Sequence, residues 1–259
     1  MKQLLSIIQP FLVALQFLTI IPVRLPETAY VNTRHYSLAC YPLVSLLLGM
    51  MLAGCAWLGR DVDTELMALV LLLLWVTVTG GLHLDGLADA ADAWIGGHGD
   101  CERTLMIMKD ASCGPMAVTA IVMLLLFKYV TLNLLLEKNA WLLIFMIPVF
   151  ARTGIMAVIL HVPYVRSDGL GRSLASDSAP GVTWSAIGIV LLLLIYLDLS
   201  AALIGLAITI ITALIIVVLA KRRLGGMTGD IYGALIEITE VALLSGFILA
   251  VIYTNSYFI

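Results

Sequence analysis

Leu199–Ala220, LSAALIGLAITIITALIIVVLA, runs 22 residues without a charge, and Lys221, Arg222 and Arg223 follow it at once. A bilayer core of about 30 Å takes roughly 20 apolar residues as helix. The run therefore reads as a membrane span with a basic anchor at its end. Six more segments qualify or nearly so: Tyr36–Leu58, Leu66–Leu82, Pro115–Leu136, Ala140–Leu160, Val182–Leu197 and Gly233–Tyr253. Val182–Leu197 is short, and Asp198–Ser200 leaves it a very tight connection to the next span.

The rest of the chain agrees. Hydrophobic residues make up 62% of its 259 positions and charged residues 12%, against about 45–50% and about 25% in soluble domains. The mean hydropathy of +1.08 points the same way. The expected fold is all-α: a polytopic helical membrane bundle of about seven spans, with residues 1–259 forming one domain. Leu4–Ile21, interrupted by Pro10 and Gln16, reads as an amphipathic or re-entrant helix at the interface, a full span being the alternative. With one Lys and no small-residue cleavage site, the N-terminus does not read as a cleaved signal. A net charge of −3 leaves no basic footprint for nucleic acid. Cys40, Cys55, Cys101 and Cys113 show no C-x-x-C spacing, which argues against a zinc or redox motif.

Threading the spans in order sorts the loops onto two sides. One side holds Arg24, Arg34, Arg103, Lys109, Arg166, Arg172, Lys221, Arg222 and Arg223; the other holds Arg60 and Lys138. That asymmetry places the first side in the cytoplasm and the C-terminus outside. The long loops are all on the cytoplasmic side, so chemistry is expected there.

Within those loops the acids are patterned. In Leu82-His83-Leu84-Asp85-Gly86-Leu87-Ala88-Asp89-Ala90-Ala91-Asp92 the carboxylates stand at i, i+4 and i+7, one helical face. Like charges stacked in this way repel, and a divalent cation relieves the repulsion. Mg²⁺ takes carboxylate oxygens and keeps positions open for phosphate. A solvated acidic face, or Asp85 as a simple N-cap, is the plainer alternative. Asp230, Glu237 and Glu240 form a second acidic face, at i, i+7 and i+10. Glu237 and Glu240 lie inside an apolar span, where ionised residues cost about 2.5–3.5 kcal/mol and persist where they line a cavity, pair or bind ions. Asp85, Asp89, Asp92 and Asp230 are the candidate metal ligands; these four with Glu237 and Glu240 are the candidate catalytic set. Lys109, Arg152, Arg166 and Arg172 are candidates for binding an anionic substrate. Asp110 is open to two readings, ligand or cap of the next helix. Lys128, within a span, reads as snorkelling or paired.

These stretches resemble a known family, cobalamin synthase (adenosylcobinamide-GDP ribazoletransferase). The resemblance rests on Gln16 to Arg24, Tyr41 to Val44, Leu82 to Asp92, Met108-Lys109-Asp110, Ala151-Arg152, Gly169-Leu170-Gly171, and Gly226-Met227-Thr228-Gly229-Asp230 through Glu240. Asp110-Ala111-Ser112 departs from the Ser-Arg pair that many members carry after that Asp, which weakens a phosphate role for this stretch. The resemblance implies a Mg²⁺-dependent transferase of the bacterial cytoplasmic membrane. It implies that a ribose hydroxyl of α-ribazole, or of its 5′-phosphate, attacks the cobinamide-linked phosphate of adenosylcobinamide-GDP, releasing GMP. Other cobalamin-assembly enzymes are partners it allows. By position, Asp85, Asp89 and Asp92 would hold the metal, and Asp230, Glu237 or Glu240 would complete its shell or act as base. Arg152 would hold phosphate. The rivals are another Mg²⁺-dependent membrane transferase, a CDP-alcohol phosphotransferase or UbiA-type prenyltransferase, and a secondary transporter. The phosphotransferase carries an Arg after its Asp-Gly-x-x-Ala, where this chain has Asp89, and the prenyltransferase spaces its Asp residues differently. A transporter usually shows two related halves, and no internal repeat is visible.

Overall fold

The computed structural model describes residues 2–23, 25, 35–166 and 178–254, with the side chains of residues 2–7 and 254 excepted. The described residues form α-helices, with a 3-10 turn at Leu38–Cys40 and one isolated bridge between Tyr164 and Met227. The helices are α1 Lys2–Leu18, α2 Tyr41–Leu58, α3 Thr64–Thr79, α4 Leu82–Gly96 and α5 Cys101–Ile107. They continue as α6 Pro115–Glu137, α7 Trp141–His161, α8 Pro180–Leu197, α9 Leu199–Leu224 and α10 Gly229–Thr254. Six, α2 (extended back to His35) and α6 to α10, are each long and apolar enough to cross a membrane.

The remaining expected span is α3. Its 16 residues rise about 24 Å at 1.5 Å each, short of the hydrocarbon core. The chain then bends by 86° into α4. Counting that bent pair as one crossing gives the seven expected. The tight link between α8 and α9 is real. Asp198 closes one helix and caps the next, its carboxylate accepting Ala201 N–H at 2.8 Å.

α7 is the central post, packed on α2, α10 and α9 and buried along most of its length. α6, α8 and α9 turn Leu126, Phe127, Ile189, Leu192, Ile211 and Leu214 outward, which in a bilayer is the lipid face. One end of the bundle gathers α4, α5, the starts of α6 and α10 and the basic end of α9. Arg223 ties that end together, donating to Thr104 Oγ1 at 2.9 Å and Trp94 O at 3.1 Å. Arg24, Arg34 and Arg172 lie outside the described residues; Arg60 and Lys138 sit at the opposite helix ends.

Candidate active site

The corner that carries the site is built on two consecutive glycines. Gly80 and Gly81 both take left-handed angles, φ 64° and 66°, a region glycine enters without the Cβ penalty. A Cβ on Gly80 would also strike Ile20 Cγ2 at 1.6 Å. Ile20 N–H donates to Val78 O at 3.0 Å, so the segment after α1 is seated against this turn.

α4 then crosses α10 at almost bare backbone. A Cβ on Gly86 would lie 2.8 Å from Asp230 O, and one on Gly233 would lie 3.1 Å from His83 O. The absence of side chains at both positions lets the two acidic segments meet. Asp85 and Asp89 come within electrostatic reach of each other and of Asp230. Asp230 is paired with Arg166, Oδ2 to Nη2 at 2.6 Å, and Arg166 Nη2 also reaches Met108 O at 3.4 Å. The strand-like bridge steers Arg166 there: Val165 N–H donates to Met227 O at 2.9 Å, and Met227 N–H to Pro163 O at 2.8 Å. Among the described residues Arg166 is the cation paired with this group. Among the described residues three carboxylates thus gather round one paired guanidinium. Asp85 is exposed, and Asp89 and Asp230 are half-buried.

The other predicted residues have different work. Asp92 sits on the expected face but spends both oxygens on the start of α6, accepting Gly114 N–H at 2.5 Å and Ala117 N–H at 2.9 Å. It is a helix cap supplied from another helix, satisfying donors that would otherwise be orphaned. Asp110, the residue offered for capping, instead closes its own turn. Ser112, through its hydroxyl and its backbone N–H at 3.0 Å, holds the Asp110 carboxyl below the usual range.

Glu237 and Glu240 share the helix face of Asp230 but lie deeper, as the sequence pattern suggests. There they meet the two intramembrane cations. Lys128 Nζ donates to Glu237 at 2.7 Å and to Glu240 at 2.5 Å, and Arg152 Nη1 donates to Glu240 at 2.6 Å. All four are buried, and Lys128 also sits 4.7 Å above the Trp75 ring. Two acids and two cations form a neutral tetrad, the arrangement that makes buried charge tolerable. Arg152 therefore faces Glu240 in this structure, whereas the sequence reading gives it to phosphate. Lys109 is exposed beside α5, and Arg172 lies outside the described residues.

Two cavities meet at Asp85. One, of about 470 Å³, is lined by Gln16, Phe17, Tyr41, His83, Asp85 and Tyr232, among others. The second, of about 420 Å³, lies along Gly81, Asp85, Asp89, Ser112 and Cys113. Sequence reasoning missed Tyr232 and gave His83 no role. Neither carries a spacing signal, and only the α4–α10 crossing shows that both line a pocket.

Fold and site define a multi-pass helical membrane protein with a carboxylate-lined pocket at one end of its bundle. The chain belongs to the cobalamin-5-phosphate synthase family, whose profile matches residues 10–248. It is similar to proteins named adenosylcobinamide-GDP ribazoletransferase. The one from Acinetobacter baumannii (strain ACICU) is 41% identical over 94% of this chain and 98% of its own. That from Pseudomonas putida (strain W619) is 44% identical over 93% and 99%, and that from Stutzerimonas stutzeri (strain A1501) 42% over 93% and 98%. No solved structure is significantly similar.

Proposed function

We propose that this chain is an adenosylcobinamide-GDP ribazoletransferase that works with Mg²⁺ at the mouth formed by α4 and α10. The family membership and the relatives' names supply the reaction. The observation that carries the site is the meeting of Asp85, Asp89 and Asp230, the last of them paired with Arg166.

Among the described residues no three Asp, Glu, His or Cys side chains converge closely enough to hold a metal ion as they stand. Mg²⁺ does not require that. It is commonly held by one or two carboxylates, with water and substrate phosphate in its other positions. The donor set fits: hard oxygens, three carboxylates round one paired guanidinium among the described residues, and cavities on both sides of Asp85. Asp85, Asp89 and Asp230 would hold the ion. When bound, Mg²⁺ supplies orientation of phosphate oxygens and relief of charge on the leaving group.

The chain's own residues do the rest. The ribose hydroxyl oxygen bonds to the cobinamide-linked phosphorus, and the bond from that phosphorus to the GMP oxygen breaks. The hydroxyl proton must leave as the bond forms. Asp85, the exposed carboxylate shared by both cavities, would take it on the oxygen that does not hold the ion. Arg166, half-buried beside Asp230, has an Nε–H without a partner among the described residues and offers it to a phosphate oxygen. The neutral tetrad of Lys128, Arg152, Glu237 and Glu240 fixes α6, α7 and α10 beneath the site. The basic residues at this end, Arg103, Lys109, Arg166 and Lys221–Arg223, support a site that faces the cytoplasm from the inner membrane.

The test is release of GMP from adenosylcobinamide-GDP by the purified full chain given α-ribazole or its 5′-phosphate. Release that needs both the acceptor and Mg²⁺, and stops with a chelator, supports the reading. Acceptor-dependent release that survives complete chelation removes the metal from it.

A further inference from the structure

The cavity of about 470 Å³ between α1, α2, α4, α7 and α10 is the feature that the proposed reaction leaves unused. Its volume falls within the roughly 300–1,000 Å³ of small-molecule sites. One wall is apolar and uncharged: Phe17, Tyr41, Ile155 and Ile159 line it, and the Phe17 and Tyr41 rings stand 6.5 Å apart. Asp85 and Asp230 line the cavity too. His83 and Tyr232 line it as well, and His83 Nδ1 and Tyr232 Oη are buried with no hydrogen-bond partner among the described residues. His83 is 7% exposed and Tyr232 6%. A buried polar group left unsatisfied costs about 1–3 kcal/mol, and native proteins leave few of them. Two such atoms in side chains that line one cavity point to a ligand that supplies their partners.

We infer that this cavity is the acceptor subsite: it takes a nucleoside with an aromatic, uncharged base. The inference rests on the ribazole-transfer reading. The base lies on the Phe17 and Tyr41 side, and the ribose hydroxyls meet His83 Nδ1 and Tyr232 Oη. Asp85 belongs to both cavities, so a hydroxyl held here faces a phosphate held in the second, more polar cavity beside Asp89 and Ser112. His83 and Tyr232 are thus acceptor-binding residues, and the apolar wall selects the base. Gln16 lines the same cavity from α1 while otherwise exposed. A large side chain there fills the subsite without entering the core.

The experiment measures KM for α-ribazole and for adenosylcobinamide-GDP separately, in the full-length wild type, Tyr232→Phe and Gln16→Trp, together with equilibrium binding of α-ribazole alone. Tyr232→Phe removes one hydroxyl and is expected to raise KM for α-ribazole about three- to tenfold. Gln16→Trp is expected to raise it about tenfold or more by overfilling. Binding of α-ribazole alone is expected to weaken in step, and KM for the corrinoid to stay at its wild-type value. If both variants bind α-ribazole as the wild type does, or if only the corrinoid KM moves, the acceptor lies elsewhere and the inference falls while the transferase reading stands. If the wild type releases no GMP with either acceptor, the transferase reading itself fails and takes the inference with it.

Discussion

Replacing Gly86 with alanine adds one methyl group at the point where α4 crosses α10. That Cβ would sit 2.8 Å from Asp230 O and 3.0 Å from Asp230 Cα, both backbone atoms that cannot swing aside, whereas ordinary contact begins near 3.4 Å. The helices must part or tilt by about 0.6 Å. Overpacking of this kind costs about 1–3 kcal/mol, partly offset by the roughly 1 kcal/mol that alanine gains over glycine inside a helix. The net loss is small enough for the protein still to insert and fold. The site is less forgiving, because Asp85 and Asp89 ride on one helix and Asp230 on the other. A 1 Å misplacement can cost about a hundredfold in rate, so about tenfold in kcat is expected here. The assay is GMP release at saturating substrates and Mg²⁺, normalised to folded protein by thermal unfolding in detergent. Gly188→Ala is the control, since a Cβ there meets nothing within 4 Å, and it should run at the wild-type rate. Wild-type kcat in Gly86→Ala would refute the claim that this crossing sets the site's geometry.

The remaining substitutions separate chemistry from scaffolding. Asp89→Asn should lower kcat at least a hundredfold, about what electrostatic stabilisation of the transition state contributes, with insertion unchanged; turnover near wild type would exclude Asp89 from the reaction. Asp92→Ala should cost about 1 kcal/mol of stability through the lost α6 cap and reduce turnover far less than Asp89→Asn does; the same two assays compare them. Lys128→Met leaves two buried glutamates to Arg152 alone and should cost about 3–5 kcal/mol, seen as a fall in Tm and in membrane abundance. Adding Glu237→Gln should recover part of that loss, and no recovery would mean that the tetrad is not a charge-balanced unit.

Much of this was legible in the sequence because lipid leaves few choices. The uncharged run Leu199–Ala220 could only be a span, and the i, i+4, i+7 spacing of Asp85, Asp89 and Asp92 did put them on one face. Spacing along a helix says nothing about what stands opposite, and there the sequence reading was incomplete. Asp92 faces the orphaned N–H groups at the start of α6, a contact 22 to 25 residues away that no local pattern encodes. Glu240 and Arg152 are 88 residues apart and find each other through the packing of α10 on α7. Asp230 was placed with the deeper acids by periodicity, yet the Gly86–Gly233 crossing and Arg166 draw it to Asp85 and Asp89 instead. The 86° bend was similarly hidden, since Gly80-Gly81 reads equally well as a loop until both prove left-handed.

Binding of Mn²⁺, a spectroscopically visible stand-in for Mg²⁺, tests the central claim most directly. Titration followed by electron paramagnetic resonance would compare the full-length wild type with Asp85→Asn/Asp89→Asn in the presence of adenosylcobinamide-GDP. The wild type should bind the ion, and the double variant should lose that binding while keeping its Tm. Equal Mn²⁺ affinity in the two proteins would contradict a cation held between α4 and α10.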